Sequence, residues 1–334
     1  MQDKPKIAIT MGDPAGIGPE ICARLLNDPH VGTACVPIVF GDSEIIRYYA
    51  NRLKFDLSSV EQVDSNANFK LIHKPTIVNF GLKALTAIDL GQVSAAAGAA
   101  AFQFIESAIQ THLRQDIDAI VTGPINKLSL HAAGHIYPGH TEIFAEKTNA
   151  ADYCMMQYSD EITCSFATTH IGYADVIDAL SAERISKVIS LTHHALQLIN
   201  GDTPKLVVCG LNPHAGENGL FGNREEERII VPAIEQAVSS GIEISGPFPP
   251  DTCFIPSRRR STDAFICMYH DQGHIPLKAL VFEKAVNTTL GLPIVRTSVD
   301  HGTAFDIVGK NCADWSSLRE AVRLAIKLAS RQLN

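Results

Sequence analysis

Ile7-Ala8-Ile9-Thr10 runs directly into Met11-Gly12-Asp13-Pro14-Ala15-Gly16-Ile17-Gly18-Pro19-Glu20. A short β-branched run, a glycine-rich turn and a proline placed to open a helix read as strand, turn, helix. The turn is not the GxGxxG of a Rossmann dinucleotide site, and it lacks the GK[ST] of a phosphate loop. Glycines there serve ligand contact and tight structural turns alike. Working outward, the same alternation repeats. Strands are expected at Val36 to Phe40, Ala119 to Thr122, Thr163 to Thr168, Leu206 to Cys209, Ala264 to Met268 and Ile294 to Thr297. Helical patterns fill Ser94 to Gln110, Ser181 to Ile199, Glu225 to Val238 with Pro232 kinking or restarting it, and Ser317 to Leu328. This order predicts an α/β fold with a largely parallel sheet.

The chain has 334 residues, which at roughly 150 residues per domain predicts two domains. With 46% hydrophobic and 19% charged residues it has the composition of a globular protein rather than a disordered or coiled-coil one. Its 28 basic and 36 acidic residues give a net charge of -8, a field that opposes non-specific attraction to nucleic acid or anionic membrane. No apolar run approaches the roughly 18 residues of a bilayer span, and the start lacks the apolar core of a secretory signal. The expectation is a soluble, cytoplasmic protein. Eight cysteines form no CxxC pair, and several sit inside apolar runs, as buried reduced thiols do.

In open parallel sheets ligands gather beyond the carboxyl ends of the strands. After Thr163 to Thr168 comes His170, after Leu206 to Cys209 comes His214, and after Ala264 to Met268 comes His270. Each alone reads most simply as a hydrogen-bonded structural histidine, but three in equivalent places can converge on one divalent metal with a coordination position left open. Their separations exceed any local metal motif, so this convergence depends on strand adjacency. Asp251 and Asp271 are placed to orient ligands or transfer protons, or to cap turns. Gly139-His140-Thr141-Glu142 offers either an anion contact or a helix start capped by Thr141, while Lys278, Asn287 and Arg296 offer cations and an amide to a carboxylate or phosphate. The Arg258-Arg259-Arg260 run reads as a solvated loop.

Nine segments carry a resemblance: GDPAGIGPE, TGPINK, GHTE, ATTH, GLNPHAGENG, PPDT, MYHDQG, LGLPIVRTSVDHGTA and DIVGK. They span nearly the whole chain and resemble the PdxA family, the 4-hydroxythreonine-4-phosphate dehydrogenases of pyridoxal phosphate synthesis and their 4-phospho-D-threonate and 4-phospho-D-erythronate paralogues. The resemblance implies two α/β/α domains with a cleft between them, of the isocitrate and isopropylmalate dehydrogenase kind rather than Rossmann. The first domain would comprise residues 1–127 plus 282–334, and the second residues 128–281.

The family's metal ligands fall on His170, His214 and His270. Its substrate contacts fall on His140, Thr141, Lys278, Asn287 and Arg296, with Lys278 and Arg296 holding phosphate or carboxylate. His301, Gly302, Thr303 and Asp306 fall in a cofactor loop for NAD or NADP. Lys278, Asp251 and Asp271 are the catalytic candidates. Zinc stands first for the metal, with cobalt, nickel, iron, manganese and magnesium as alternatives.

The implied reaction oxidises the C3 hydroxyl of a 4-phosphorylated four-carbon hydroxy acid and then decarboxylates it. It runs in a homodimer whose active site draws histidines from both subunits. Tyr137-Pro138 and His274 resemble the threonate and erythronate branch, while the pyridoxal precursor stays open as substrate. A metal-dependent phosphohydrolase using the same histidines without NAD is the alternative of a different class.

Overall fold

The computed structural model describes residues 4–81, 88–281 and 284–332. Among these the strands are, in chain order, β1 (Lys6–Thr10), β2 (Val36–Gly41), β3 (Glu61–Asp64), β4 (Thr76–Asn79), β5 (Ala119–Thr122), β6 (Cys154–Tyr158), β7 (Cys164–Phe166), β8 (Leu206–Cys209), β9 (Ile244–Phe248), β10 (Ala264–Cys267), β11 (Val286–Leu290) and β12 (Arg296–Ser298). The chain divides into two compact units, residues 1–150 with 292–334, and residues 151–291.

The first unit carries strands in the order β3-β4-β2-β1-β5-β12, all paired in parallel. Consecutive residues Ile7, Ala8 and Ile9 are all fully buried, so both faces of β1 are covered, as crossover helices on a parallel sheet require. The long helix Ala95–Leu113 opens on Ser94, whose Oγ accepts from the Ala97 N–H. The second unit has the order β11-β6-β7-β10-β8-β9. There β7, β10, β8 and β9 run parallel, while β6 is antiparallel to both β7 and β11. Its core gathers Phe166, Phe265, Leu277 and Cys253. The helix Ala182–Asn200 is capped by Ser181 at one end and closed by Gly201 in the left-handed region at the other.

The expected domain limits at 127 and 281 differ from these divisions, and residues 282 and 283 lie outside the described residues. Two contacts place the limits at 150 and 291. Helices Lys127–Ala132 and His140–Lys147 pack on Ala95–Leu113, which holds them in the first unit. β11 is hydrogen-bonded along its length to β6, which holds it in the second.

The Glu225 to Val238 pattern divides into a π-turn, Glu226–Ile230, and an α-helix, Val231–Ser239, with Pro232 in its first turn, as a second start would have it. No helix is long and apolar enough to cross a membrane among the described residues.

Candidate active site

In the first unit the opening turn is structural. Residues 11–18 are all buried. Asp13 accepts from the Ala15 N–H at 2.8 Å and its pKa is raised, chiefly by burial. The Ile17 N–H donates to the Thr303 carbonyl at 3.0 Å, so the glycine-rich turn carries the expected cofactor loop.

That loop is fastened again further on. Arg24 donates to the Asn311 carbonyl at 2.9 Å, Arg52 to the Gly309 carbonyl at 2.8 Å, and the buried Glu20 accepts from the Ala313 N–H at 3.1 Å. At the first of these anchors Thr303 is buried, while Gly302 and Asp306 on either side of it are exposed. The His301 Nε2 is buried without a hydrogen-bond partner. An orphaned imidazole nitrogen beside exposed glycine backbone is chemistry that fits a polar cofactor.

The same unit buries a cation beside a histidine. Arg296 opens β12, is 2% exposed, donates through Nη2 to Thr122 Oγ1 at 2.8 Å and lies 5.5 Å from the Phe144 ring centre. Burial lowers its pKa to about 9, with Glu142 pulling the other way. His140 is the first residue of its helix, so Gly139 rather than Thr141 is the cap. The Nε2 of His140 is buried with no protein partner. Burial, helped by the positive charge of Arg296 and Lys127, holds His140 well below the ordinary histidine pKa. Arg296 and His140 therefore act on each other directly.

In the second unit the strand order decides the histidines. β10 lies between β7 and β8, parallel to both, so His170, His270 and His214 leave the same end of three adjacent strands. The His170 and His270 ring centres are 5.7 Å apart, and both line a cavity of about 300 Å³ with Thr168, Tyr173, Tyr269 and Asp271. Asp271 Oδ1 is 2.6 Å from His270 Nδ1, and its other oxygen accepts from the Tyr173 hydroxyl. Those two hydrogen bonds, Tyr173 first, lower the Asp271 pKa. His214 is 62% exposed and has its Nδ1 3.0 Å from Glu217 Oε2.

Each of these two imidazoles thus has Nδ1 tied to a carboxylate, which leaves Nε2 as the donor atom for a divalent metal. The donor chemistry fits a metal. Among the described residues, however, no group of three or more His, Cys, Asp or Glu side chains is gathered closely enough to hold one.

Lys278 lies in the last turn of helix His270–Val281, on the stripe His270, His274, Lys278 set by i, i+4 spacing. His274 stacks on His270 with centres 3.9 Å apart, bonds the His270 carbonyl through Nδ1 at 3.0 Å and meets Gln157 Nε2 at 3.4 Å. Asn287, in β11, donates to Met155 Sδ at 3.3 Å. Asp251 is exposed in the short helix Pro250–Cys253.

Sequence reading missed Tyr173 and Gln157 as parts of the site. It took His274 as a branch marker only, although its spacing from His270 was a visible signal. The arginine run is not a solvated loop at its first two residues, although Arg260 is exposed. Arg258 stacks 3.6 Å over the Phe248 ring, and Arg259 bonds the Phe254 carbonyl and Glu161, because aromatic and carbonyl partners lie beneath it.

Residues 33–325 match the family model described as pyridoxal phosphate biosynthetic protein PdxA. The chain belongs to the PdxA family. A D-threonate 4-phosphate dehydrogenase of Cupriavidus necator is 43% identical over 98% of this chain and 98% of its own. A crystal structure of a 4-hydroxythreonine-4-phosphate dehydrogenase from Klebsiella pneumoniae superposes with a TM-score of 0.84 at 40% identity, covering 98% of this chain and all of that one. A β-decarboxylating dehydrogenase from Thermococcus kodakarensis, at 12% identity and a TM-score of 0.51 over 98% of this chain and 83% of its own, shares the fold alone. This member of the PdxA family is a dehydrogenase, an oxidoreductase acting on a CH–OH group.

Proposed function

We propose that the protein oxidises the C3 hydroxyl of a 4-phosphorylated four-carbon hydroxy acid with NAD or NADP and a divalent metal, and that the resulting β-keto acid loses carbon dioxide. The substrate is 4-phospho-D-threonate or 4-phospho-D-erythronate, with 4-hydroxythreonine 4-phosphate next. The observation that carries this reading is the strand order β7-β10-β8, by which His170, His270 and His214 follow the same ends of three adjacent strands.

When bound, the metal and nicotinamide supply a Lewis acid for the hydroxyl and ketone oxygens and an acceptor for the hydride. His170, His214 and His270 would hold the metal, and His301, Gly302, Thr303 and Asp306 the nucleotide. Arg296, His140 and Thr141 bind the phosphate, since a buried guanidinium gains most from an anion brought to it. Lys278 and Asn287 orient the carboxylate end. The hydroxyl proton passes to Lys278 or, through water, to Asp251. Asp271 keeps His270 in one tautomer. The protein works as a cytoplasmic homodimer with an active site shared between subunits.

The test follows nicotinamide reduction with each of the three phosphorylated acids, with and without a chelator. Chelator-sensitive reduction with one of them is expected, and no turnover of any overturns the reading. His214→Ala is expected to abolish metal-dependent turnover with little change in unfolding temperature, because the side chain is exposed. Retained turnover refutes its ligand role.

A further inference from the structure

The turn that carries His214 is built unlike those that carry His170 and His270. His214, Ala215, Gly216, Glu217 and Asn218 follow one another at φ of 53°, 53°, 78°, 43° and 55°. Such a left-handed run is sterically disfavoured at each of its four residues that bear a Cβ. Strain of this kind persists only where the surroundings over-determine it, and it concentrates at functional sites.

One side chain does most of the determining. Glu226 is 2% exposed, and its Oε1 accepts from the main-chain N–H groups of Leu211 at 2.9 Å and Asn212 at 2.7 Å. Its Oε2 accepts from Asn212 Nδ2 at 3.0 Å. The neighbouring Glu225 takes the same Nδ2 at 2.9 Å and the Asn223 N–H at 2.8 Å. A Cβ on Gly216 would stand 2.6 Å from Glu226 Oε2, so the carboxylate fills the hollow inside the turn. Glu226 reaches this place from the first residue of the Glu226–Ile230 π-turn, a rare backbone form that often marks functional sites. The chain of contacts runs from the carboxylate to the main chain of 211–212 and through the left-handed turn to His214.

We propose that Glu226 is a positioning residue, whose buried carboxylate locks the turn 214–218 and so sets the direction in which His214 presents Nε2 to a metal. This rests on the reading of His214 as a ligand. A carboxylate that merely stabilised the unit would lower the unfolding temperature and leave metal affinity in the folded protein unchanged.

The experiment is a calorimetric zinc titration of metal-free protein, with circular dichroism to verify the fold and amide exchange to follow residues 214–218. Glu226→Ala is expected to weaken zinc binding about 10- to 100-fold and to speed exchange in the turn before any metal is added. Glu226→Gln, which keeps the Oε1 acceptor for the two main-chain N–H groups but sets an amide NH2 against Asn212 Nδ2, recovers part of the loss. Folded Glu226→Ala that binds zinc like the wild type overturns the proposal. Should Glu226→Ala not fold, Glu226→Asp decides, since its shorter side chain draws the carboxylate back from the main chain of 211–212 without touching the turn itself; weakened zinc binding supports the proposal and wild-type affinity overturns it. His214→Ala separates the two readings. Loss of affinity there with none in Glu226→Ala sinks the positioning role alone, whereas wild-type affinity in His214→Ala, or no zinc binding by the wild type, sinks the ligand reading and the proposal with it.

Discussion

His140 holds an imidazole nitrogen in the protein interior with no partner from the chain, beside a buried guanidinium. Desolvation and the charges of Arg296 and Lys127 all disfavour its protonated form, so it is neutral well below the ordinary value of 6.5. The sign of the stability effect follows. As pH falls through about 6.5 the unfolded chain binds a proton there that the folded chain does not, so this histidine's contribution is present above that range and is lost below it. The His140 ring resonances are expected to stay flat between about pH 8 and about pH 6 in the ligand-free protein, and a midpoint at the ordinary value would contradict the burial argument. The GHTE motif pointed to this residue. That His140 shares its pocket with Arg296, far along the chain, had no trace in the local sequence.

At the scale of elements, the helices Ala95–Leu113 and Lys127–Ala132 meet through a glycine. A Cβ on Gly98 would stand 1.9 Å from the Ser129 carbonyl oxygen, which is backbone and cannot swing aside. Glycine to alanine in an exposed helix stabilises by about 1 kcal/mol. Here overpacking reverses the sign, and Gly98→Ala is expected to cost about 1–3 kcal/mol in urea unfolding; an unchanged or higher midpoint would show that the helices can separate freely. The strands that sequence reading located, β1, β2, β5, β7, β8, β10 and β12, are short apolar runs or, as β12 does, directly follow one. Those it missed are either polar and half-exposed, as β3 is, or interrupted, as β9 is by Gly246-Pro247, or mixed with amides and hydroxyls, as β6 and β11 are. The left-handed turn after β8 was equally hidden, because His214, Ala215 and Glu217 have no intrinsic preference for that conformation.

Over the whole molecule, seven of the eight cysteines are buried and Cys312 is exposed. Burial pushes the Cys22, Cys35 and Cys154 thiols up to about 12, far from the reactive thiolate. An aromatic disulfide reagent is therefore expected to find one fast thiol per native chain and all eight after denaturation, and two or more fast thiols in the native protein would refute this. The sequence by itself determined the alternation of strand and helix, the lack of a Rossmann turn, and the placing of histidines just past three strands, because hydrophobic periodicity and turn chemistry are local properties of the chain. The tertiary structure alone decided that β10 separates β7 from β8, that Asp271 and Tyr173 hold His270 while Glu226 holds the His214 turn, and that Arg258 and Arg259 turn inward. These depend on pairings between residues distant in sequence, and a side chain's partners across a sheet edge are fixed by packing of the whole unit rather than by its neighbours along the chain.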